Sequence, residues 1–382
     1  MQETKTNILL LHSSSDMYGA SKILCTVVEI LKKKHGVIVV LSEDGPLVVK
    51  LKELNVDVKI VRLGILRRKY FTPRGLINRL KALSNARKIL CGIVQEKKID
   101  IIYSNTTGVL VGAFVAHKMR KKHVWHIHEI IEKPKFFSKT IGILVNKYAN
   151  TAIVVSDEVK RYWKNVIDDK KLVKIYNGID FNPYTNFKSS LKQELELNNS
   201  HILIGMIGRV NQWKGQKYFL EIAKILSKKY DNVRFILAGD AFPGFEYIET
   251  ELKQFIIDNN LSDKVYNLGY RSDNNNVLSG YDIFVLPSIL PDPLPTVVLE
   301  SMASNKPVVG TNHGGAKEMI IDSITGILIP WDDPQEAAKS IEKLIVDKSL
   351  REQMGIAGRK RVETYFSIQQ FEQNLTKLFD SL

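Results

Sequence analysis

Two acidic residues eight positions apart, Asp292 and Glu300, are the first candidates for chemistry in this chain. They lie in the stretch PSILPDPLPTVVLESMASNKPVV, which spans 287–309 and follows an apolar run. That run is typical of a buried parallel strand, and the stretch after it predicts a proline-rich turn and a helix over 296–304. Because open α/β proteins bind ligands at the carboxyl edge of the sheet, both acids could face one pocket there. The start of the helix offers N–H groups to a phosphate.

Two cations frame a second polar loop, GRVNQWKG at 208–215, which follows a predicted strand and precedes a predicted helix. Arg209 can grip a phosphate through two N–H groups, and Lys214 adds a point charge. Together they could hold a diphosphate and stabilise it as a leaving group, so that a divalent metal is not required. Alternatively, Arg209 and Lys214 are solvated surface residues on a loop and bind no phosphate.

Two further motifs occur in the first half of the chain. WHIHE at 125–129 ends a predicted strand, and the period of two places His126 and His128 on one face. His128, nearer the strand's carboxyl end, could bind a sugar hydroxyl or move a proton, or it is a satisfied structural histidine. SSSDMYGA at 13–20 is a small-residue loop in which Gly19 can take an open dihedral. It is not G-x-G-x-x-G, and WHIHE lacks zinc-helix spacing.

Strands and helices alternate along the chain and would position these motifs. Strands are predicted at 7–12, 37–41, 56–61, 100–103, 123–128, 151–155, 171–175, 202–207, 233–238, 264–268, 282–286, 307–309 and 326–329. Helices are predicted at 20–34, 74–97, 107–121, 137–149, 157–165, 216–229, 245–259, 274–279, 296–304, 316–321, 334–347 and within 350–382. This alternation indicates parallel sheets covered by helices on both faces.

The pattern restarts near the middle of the 382-residue chain, which predicts two domains. We expect a Rossmann-like domain over 1–180, a linker over 181–200, a second Rossmann-like domain over 201–365 and a returning C-terminal helix over 366–382. Two doubly wound domains that face each other leave a cleft at their strand ends, and that cleft is the expected site.

The net charge of +14 is uneven, because no acid falls between Asp57 and Glu96 while ten cations do. They are Lys59, Arg62, Arg67, Arg68, Lys69, Arg74, Arg79, Lys81, Arg87 and Lys88. A second basic cluster spans 118–122. A solvated surface and a face for anionic lipid head groups both fit this charge. Nucleic acid is disfavoured as a partner, since no recognised nucleic-acid module accompanies the charge.

Other bulk properties indicate a cytoplasmic protein. Cys25 and Cys91 lie far apart in predicted helices, which favours buried, reduced thiols. No signal peptide is evident, and no stretch reaches the roughly 18 apolar residues of a membrane span.

Three motifs together resemble one family. Strand–GRVNQWKG, strand–PSILPDPLPTVVLESMASNKPVV and HGGAKEMI are similar to the C-terminal domain of the retaining glycosyltransferases of family four, which have the GT-B fold. The loop with Gly19, the strand ending at His128 and YNGID at 176–180 extend the resemblance over nearly the whole chain. The resemblance implies transfer of a sugar from a nucleotide diphosphate sugar, with retained anomeric configuration and no essential metal or other cofactor.

Site roles follow from matched positions. Arg209 and Lys214 match the pair that binds the donor diphosphate. Glu300 matches the second acid of the family's E-x7-E motif, which holds the ribose, and Asp292 takes the place of the first, which touches the donor sugar. His128 matches the histidine near the reacting centre.

Two more matches and two departures complete the comparison with the family. Gly19 matches the glycine loop near donor phosphate and acceptor, and Tyr270 and Arg271 match the segment beside the base. Asp292 replaces the usual Glu, which sets its carboxylate about one methylene further back. Pro295 replaces the usual Gly and has no N–H, which shifts phosphate binding to the amides of Leu294, Thr296 and Val297 and the Thr296 hydroxyl.

We therefore expect a hexosyltransferase, peripheral on the inner face of the cell membrane, that acts on a lipid-linked saccharide in polysaccharide or lipopolysaccharide assembly. A UDP-sugar is favoured over a GDP-sugar, although main-chain contacts to the base would leave the choice open. No carboxylate nucleophile is evident, which favours front-face attack. The alternatives are a GT-B-like sugar-nucleotide epimerase and a non-catalytic two-lobed sugar-binding protein.

Overall fold

The computed structural model describes residues 6–66, 70, 72–131, 134–241 and 244–382. These residues form two compact units, each built on its own parallel sheet.

The first unit comprises Met1–Asn177 and Phe371–Leu382 and contains a seven-stranded sheet. Its strands are β1 (Asn7–His12), β2 (Gly36–Leu41), β3 (Asp57–Ile60), β4 (Ile101–Asn105), β5 (Lys122–Ile127), β6 (Thr151–Val154) and β7 (Leu172–Lys174). They are ordered β3-β2-β1-β4-β5-β6-β7, and each neighbouring pair is parallel. The order reverses beside β1, so the carboxyl ends of β1 and β4 meet at a switch point where ligands commonly bind.

Helices cover both faces of this sheet: α1 (Gly19–Leu31), α2 (Pro46–Glu53), α3 (Pro73–Glu96), α4 (Val111–Met119), α5 (Lys135–Tyr148) and α6 (Asp157–Trp163). Alternate residues of β1 serve the two faces. Ile8 and Leu10 are buried in one cluster with residues of α1 and α2, while Leu9 and Leu11 are buried in another with residues of α3 and α4. This double burial explains why the strand reads as a continuous apolar run.

The second unit, Gly178–Gln370, contains a six-stranded parallel sheet. Its strands are β8 (Ile202–Ile207), β9 (Val233–Ala238), β10 (Val265–Asn267), β11 (Ile283–Leu286), β12 (Val308–Thr311) and β13 (Gly326–Ile329), ordered β10-β9-β8-β11-β12-β13. The order reverses beside β8, so the carboxyl ends of β8 and β11 meet at its switch point.

The helices of the second unit are α7 (Leu191–Glu194), α8 (Gln216–Ser227), α9 (Glu246–Asp258), α10 (Asn274–Gly280), α11 (Thr296–Ala303), α12 (Ala316–Met319), α13 (Pro334–Val346) and α14 (Lys348–Tyr365). The last helix, α15 (Ile368–Asp380), carries the chain back into the first unit. Its Phe371, Leu375 and Phe379 recur every four residues and are buried in the cluster that contains Ile8 and Leu10.

The predicted α/β architecture is confirmed, and every predicted strand is present within two residues of its expected ends. The helix predicted over 107–121 is wrong at its start, because α4 begins only at Val111 after a turn in which Thr106 has a φ of +79°. Helix α2 was not predicted. Its signals are Pro46 in the first turn and buried Leu47 and Leu51 four residues apart.

The segment 181–200, expected as a linker, lies within the second unit. It contains a short 3₁₀ turn, Asn182–Tyr184, and helix α7. The Ser189 hydroxyl donates to the main-chain oxygen of Asn276 at 2.7 Å, and the Ser190 amide donates to the Asn276 side chain at 2.9 Å. The segment is therefore fixed to α10.

Cys25 in α1 and Cys91 in α3 are both buried free thiols, as predicted. Burial is the main reason that the pKa of Cys25 rises to about 11. Among the helices in the described part of the chain, none combines the length and apolar character that crossing a bilayer requires.

Candidate functional site

The loop between β8 and α8 carries Arg209 and Lys214 and is shaped by its own side chains. The Asn211 side-chain oxygen accepts hydrogen bonds from the amides of Trp213 at 3.1 Å and Lys214 at 2.9 Å. The Gln216 side chain donates to the main-chain oxygen of Arg209 at 3.0 Å. These bonds fix the loop between the two cations without using either charged group.

Gly215 brings this loop against the loop that follows β11. Its φ is +80°, and a Cβ there would lie 1.9 Å from the main-chain oxygen of Pro287. The Ile289 amide also donates to the Trp213 oxygen at 2.8 Å. Only glycine fits this close approach, which sets Lys214 beside the proline-rich loop.

Lys214 and Asp292, predicted from separate motifs, meet in the structure. The Lys214 ammonium forms a salt bridge with the Asp292 carboxylate, and both side chains are largely shielded, with 19% and 14% of their surface exposed. The structure thus brings together the predicted phosphate ligand and the predicted sugar ligand. A shielded ion pair interacts more strongly than an exposed one, because solvent screens it less.

The proline-rich loop after β11 packs against the HGG motif at 313–315, which contributes two glycines. The Gly315 amide donates to the main-chain oxygen of Asp292 at 2.7 Å. Gly314 has a φ of +61°, and a Cβ there would lie 2.6 Å from both the main-chain nitrogen and the main-chain oxygen of Asp292. The His313 ring Nε2 lies 2.7 Å from the Ser288 oxygen and donates to it. The two glycines therefore support the backbone that carries Asp292.

Helix α11 begins at Thr296, directly after Pro295, which has a φ of −71° and a ψ of 104°. The Val298 amide donates to the Pro295 oxygen at 3.0 Å, while Thr296 and Val297 precede the first bond inside the helix. Their amides therefore add to the positive end of the helix dipole. Leu294 is buried, at 7% exposure, and anchors the entry to the helix.

Glu300, in the second turn of α11, is 7% exposed and has partners that the sequence did not reveal. The Asn274 side-chain amide donates to Glu300 Oε2 at 2.9 Å. Tyr184 also hydrogen-bonds the Glu300 side chain, and burial together with this carboxylate raises the pKa of the Tyr184 phenol. Both donors come from elements distant in sequence, so no local pattern could have identified them.

The segment after β10 contains Gly269, which has a φ of +62° and open space beside its Cα. Tyr270 is 58% exposed. The Arg271 guanidinium is held by carboxylates instead, at 3.0 Å from Glu194 and at 2.6 Å and 2.7 Å from Asp273. Its hydrogen bonds are the main cause that lowers the pKa of Asp273 to about 2. Tyr270 is thus available to a ligand, whereas the Arg271 side chain anchors the segment to α7.

In the first unit, Gly19 is the first residue of α1. Its φ lies outside the left-handed region, so the expectation of an open dihedral is wrong. A Cβ at Gly19 would meet no described atom within 4 Å. The glycine therefore leaves space at the start of α1, at the carboxyl edge of β1.

His128 lies one residue beyond β5, and its ring is 4.0 Å from that of His126, which confirms that the two histidines share a face. Its Nε2 is 2.8 Å from the Asn105 side-chain oxygen. Burial, and secondarily the nearby His12, lower the pKa of His128 to about 3. The imidazole is therefore neutral at pH 7.

Glu129, beside His128, is a further acid at this edge that the sequence analysis did not assign. Its carboxylate accepts from the Thr107 amide at 3.2 Å and from the His128 amide at 3.1 Å. Burial raises the pKa of Glu129 to about 7 despite these hydrogen bonds, which act in the opposite direction. The carboxylate ties the turn after β4 to the end of β5.

Comparison with known proteins agrees with this architecture. A family model described as glycosyl transferases group 1 matches residues 187–361, and one described as glycosyltransferase family 4 matches residues 18–182. The Anabaena protein HepE, solved in complex with UDP, is 26% identical and superposes with a TM-score of 0.87, covering 99% of this chain and 100% of that one. Further HepE structures contain UDP-glucose, or UDP and glucose.

Two curated relatives are similar over most of their length. The capsular polysaccharide biosynthesis glycosyltransferase CapM of Staphylococcus aureus is 26% identical over 367 residues, which are 93% of this chain and 92% of CapM. The UDP-Gal:alpha-D-GlcNAc-diphosphoundecaprenol alpha-1,3-galactosyltransferase of Escherichia coli is 28% identical over 306 residues, covering 74% of this chain and 76% of that enzyme. This chain therefore combines a glycosyltransferase family 4 domain over residues 18–182 with a glycosyl transferases group 1 domain over residues 187–361, and it has the two Rossmann-like domains of the GT-B fold.

Proposed function

We propose that this glycosyltransferase moves a hexose from a UDP-sugar to a lipid-linked saccharide during polysaccharide assembly, and that it retains the anomeric configuration without an essential metal. The observation that carries the proposal is the contact between Lys214 and Asp292, close to the start of α11. It joins a cation suited to phosphate with a carboxylate suited to sugar hydroxyls on one rigid unit.

The donor diphosphate would be bound by Arg209, Lys214 and the first amides of α11. Pro295 cannot donate, so the amides of Leu294, Thr296 and Val297, with the Thr296 hydroxyl, carry that part of the binding. When the donor enters, the Lys214 ammonium lies between two anions, the phosphate and the Asp292 carboxylate. That arrangement keeps the Asp292 carboxylate beside Lys214 and directed at the hexose.

The nucleoside would be bound by Glu300, which accepts hydrogen bonds from the ribose hydroxyls, and by the segment around Tyr270. Because the Arg271 guanidinium is engaged by Glu194 and Asp273, its contribution to base binding falls to its main chain. HepE was solved with UDP and with UDP-glucose, which supports uracil as the base. Main-chain contacts would distinguish uracil from other bases by the shape of the ring and by the hydrogen-bonding groups on its edge.

Transfer with retention needs no cofactor, because the bonds broken and formed account for every atom. The bond between the anomeric carbon and the phosphate oxygen breaks, and a bond from the acceptor hydroxyl oxygen forms on the same face. The hydroxyl proton passes to the departing phosphate oxygen. Asp292 is held in an ion pair and would be a weak nucleophile, which supports front-face attack over a covalent intermediate. Arg209 and Lys214 supply the positive charge that a metal provides in other enzymes.

The acceptor would be lipid-linked, as in the E. coli relative, whose name specifies a diphosphoundecaprenol-linked sugar. CapM supports polysaccharide assembly as the setting, with lipopolysaccharide as one product class. Both matched family models are those of glycosyltransferases, which disfavours the sugar-nucleotide epimerase and the two-lobed binding protein.

A membrane-facing surface on the first unit fits such an acceptor. Six large apolar side chains are exposed on α3 and α5: Leu76 (39%), Ile77 (55%), Leu80 (65%), Ile89 (51%), Phe136 (61%) and Ile143 (64%). Exposed lysines flank them on the same helices. Glu96, at the end of α3, is the one acid in these two helices. An apolar face bordered by cations is suited to the interface of an anionic bilayer, which would keep the enzyme on the inner face of the cell membrane.

The structure changes which basic residues contribute to this surface. Arg79 is buried, with its guanidinium 4.2 Å from the centre of the Tyr70 ring, so it does not face solvent. The run at 67–69 lies outside the described residues. Lys139 and Lys147 on α5 are exposed and join the surface instead.

Two measurements test the donor. A thermal-shift screen should show stabilisation by UDP and UDP-hexoses and not by GDP, because a ligand that binds only the native state raises the melting temperature. Transfer of labelled hexose to lipid extract should persist in EDTA. Stabilisation by GDP alone, or activity that depends on an added divalent ion, would contradict the donor or the metal-free mechanism, respectively.

The membrane surface has its own test. Replacing Lys139 and Lys147 together by Gln removes two charges, each worth about 1 kcal/mol near an anionic surface, so affinity for anionic vesicles should fall about 25-fold. Lys253, an exposed lysine on α9 in the second unit, provides the matched control as Lys253→Gln. Equal binding of wild type to neutral and anionic vesicles would contradict the electrostatic account.

A further inference from the structure

Asn105, the last residue of β4, lies between two histidines and is completely buried. Its side-chain oxygen is 2.8 Å from His128 Nε2. Its side-chain nitrogen is 3.0 Å from His12 Nδ1 and 3.2 Å from the main-chain oxygen of Ala20. One amide thus connects the carboxyl ends of β1, β4 and β5.

The contact with Ala20 fixes which way the amide points. A main-chain carbonyl oxygen can only accept, so the atom facing Ala20 must be the NH₂ group. The carboxamide oxygen then faces His128, and because it can only accept, His128 Nε2 must carry a proton. A neutral ring with a proton on Nε2 has a lone pair on Nδ1.

The same logic runs from Asn105 to the loop before α1. His12 Nδ1 accepts from Asn105, so His12 Nε2 carries the proton and donates to the Ser21 hydroxyl at 3.0 Å. The Ser21 hydroxyl donates to Asp16 Oδ1 at 3.1 Å. Every donor in this series meets an acceptor, and the series ends on a carboxylate, so its direction is defined throughout.

We propose that Asn105 is a positioning residue that holds His128 as the neutral tautomer protonated on Nε2, which leaves Nδ1 to accept a hydrogen bond from a sugar hydroxyl. The role of the hydroxyl contact rests on the proposed function of His128, whereas the tautomer follows from the hydrogen bonds alone. His128 therefore accepts a hydrogen bond from a sugar hydroxyl at Nδ1. Its Nε2 does not donate to the sugar, because it already donates to the Asn105 oxygen.

The groups around His128 favour the neutral ring. His12 approaches from β1, and His126 lies in β5, two residues before His128, in contact with the Tyr103 hydroxyl of β4. Glu129 turns its carboxylate to main-chain amides, including that of His128. Burial lowers the pKa of His128 to about 3, so the tautomer persists over the whole neutral range.

Asn105→Asp is the informative variant. It keeps the shape of the side chain, but it replaces the carboxamide, which donates and accepts, by a negatively charged carboxylate that only accepts. A carboxylate beside an imidazole raises the pKa of the ring, because the negative charge favours the protonated form. Protonation of His128 would then place a proton on Nδ1 and remove the acceptor. We expect kcat/KM of this variant to fall with acidification below pH 6, whereas wild type shows no such loss. Asn150→Asp, at an exposed asparagine of the same unit, is the charge-matched control.

Nitrogen-15 NMR of the histidine rings tests the tautomer directly in the wild-type protein and needs no variant to fold. The His128 signals, identified by their loss in His128→Gln, should show protonated Nε2 and unprotonated Nδ1 from pH 5.5 to 8. A proton on Nδ1, or a pH profile of Asn105→Asp that matches wild type, would overturn the proposal. If the tautomer is as stated while His128→Gln transfers sugar normally, the proposed role of His128 fails and the tautomer stands.

Discussion

Replacing His123 by Gln should make the first unit less sensitive to acid. His123 is fully buried on β5, and its Nε2 lies 2.9 Å from the Ser104 hydroxyl. Burial lowers the pKa of His123 to about 3. An unfolded histidine has a pKa near 6.5, so between these values the unfolded chain binds a proton that the folded chain does not. The His123 contribution therefore lowers the stability as the pH falls through this window.

The magnitude follows from proton linkage. Each such histidine contributes up to about 1.4 kcal/mol of lost stability per pH unit below about 6. His126 and His128 have lowered pKa values for the same reason, and the three together reach about 4 kcal/mol per unit. Glu129 acts in the opposite sense, because its raised pKa lets the folded state bind a proton between about pH 7 and 4.5. These four groups leave a net loss of about 2.7 kcal/mol per unit near pH 5.5.

Urea unfolding from pH 4.5 to 8 measures the effect of His123→Gln. Trp125 and Trp163 are buried in the first unit, and replacing the exposed Trp213 and Trp331 by Phe isolates their fluorescence. The variant should lose stability on acidification about 1.4 kcal/mol per pH unit less steeply than its parent. Parallel curves, or an NMR titration of His123 near pH 6.5, would show that burial of His123 does not cause the loss of stability in acid.

Three further predictions concern the donor side. Lys214→Ala should lower turnover by about a hundredfold or more, since it removes charge beside the leaving diphosphate; initial rates with saturating donor measure this, and near-wild-type rates would exclude the role. Gly315→Ala places a Cβ 2.3 Å from the Pro293 oxygen, where ordinary contact begins at 3.4 Å, so the loop must retreat about 1 Å. Its kcat should fall about a hundredfold with the circular dichroism unchanged, and full activity would show that the loop position is unimportant. Asn274→Ala should weaken UDP binding roughly tenfold by releasing Glu300, and titration calorimetry should show a smaller loss for a dideoxyribose analogue; an equal loss for both nucleotides would refute a ribose-directed effect.

The fold could be predicted largely because both sheets are covered on two faces. Strand β8 then reads as a continuous apolar run, β9 departs from one only at Arg234, and the ends of both strands match the sequence-based prediction. Helix ends were harder, because turns such as that at Thr106 break the helix for a conformational reason that composition does not display. Helix α2 is short, and its apolar pattern is too brief to stand out beside the strands.

The charged groups of the site could be predicted because their types and motifs are local. Lys214 and Asp292 were named from separate stretches, and their contact follows from a sheet that brings β8 beside β11. The groups that orient them could not be predicted in the same way. Asn105 and Asn274 act through partners 23 and 26 residues away, at distances that only the folded chain sets.

The same distinction explains Gly19 and Arg271. A glycine was expected for its backbone freedom, whereas the structure uses the absent side chain as space. Arg271 was matched to the base-binding segment by position, whereas its guanidinium is held by two carboxylates, one of them in α7. The motifs indicated that both residues lie near the site, but they did not indicate which groups each residue contacts.

Proton NMR of the product formed from a UDP-α-hexose and a lipid-linked acceptor distinguishes retention from inversion at the anomeric carbon. We expect an α-linked product from wild type in EDTA, and a rate at least about a hundredfold lower from Lys214→Ala. A β-linked product would contradict retention. Absence of transfer from every UDP-hexose, in a protein that GDP stabilises against heat, would contradict the proposed donor.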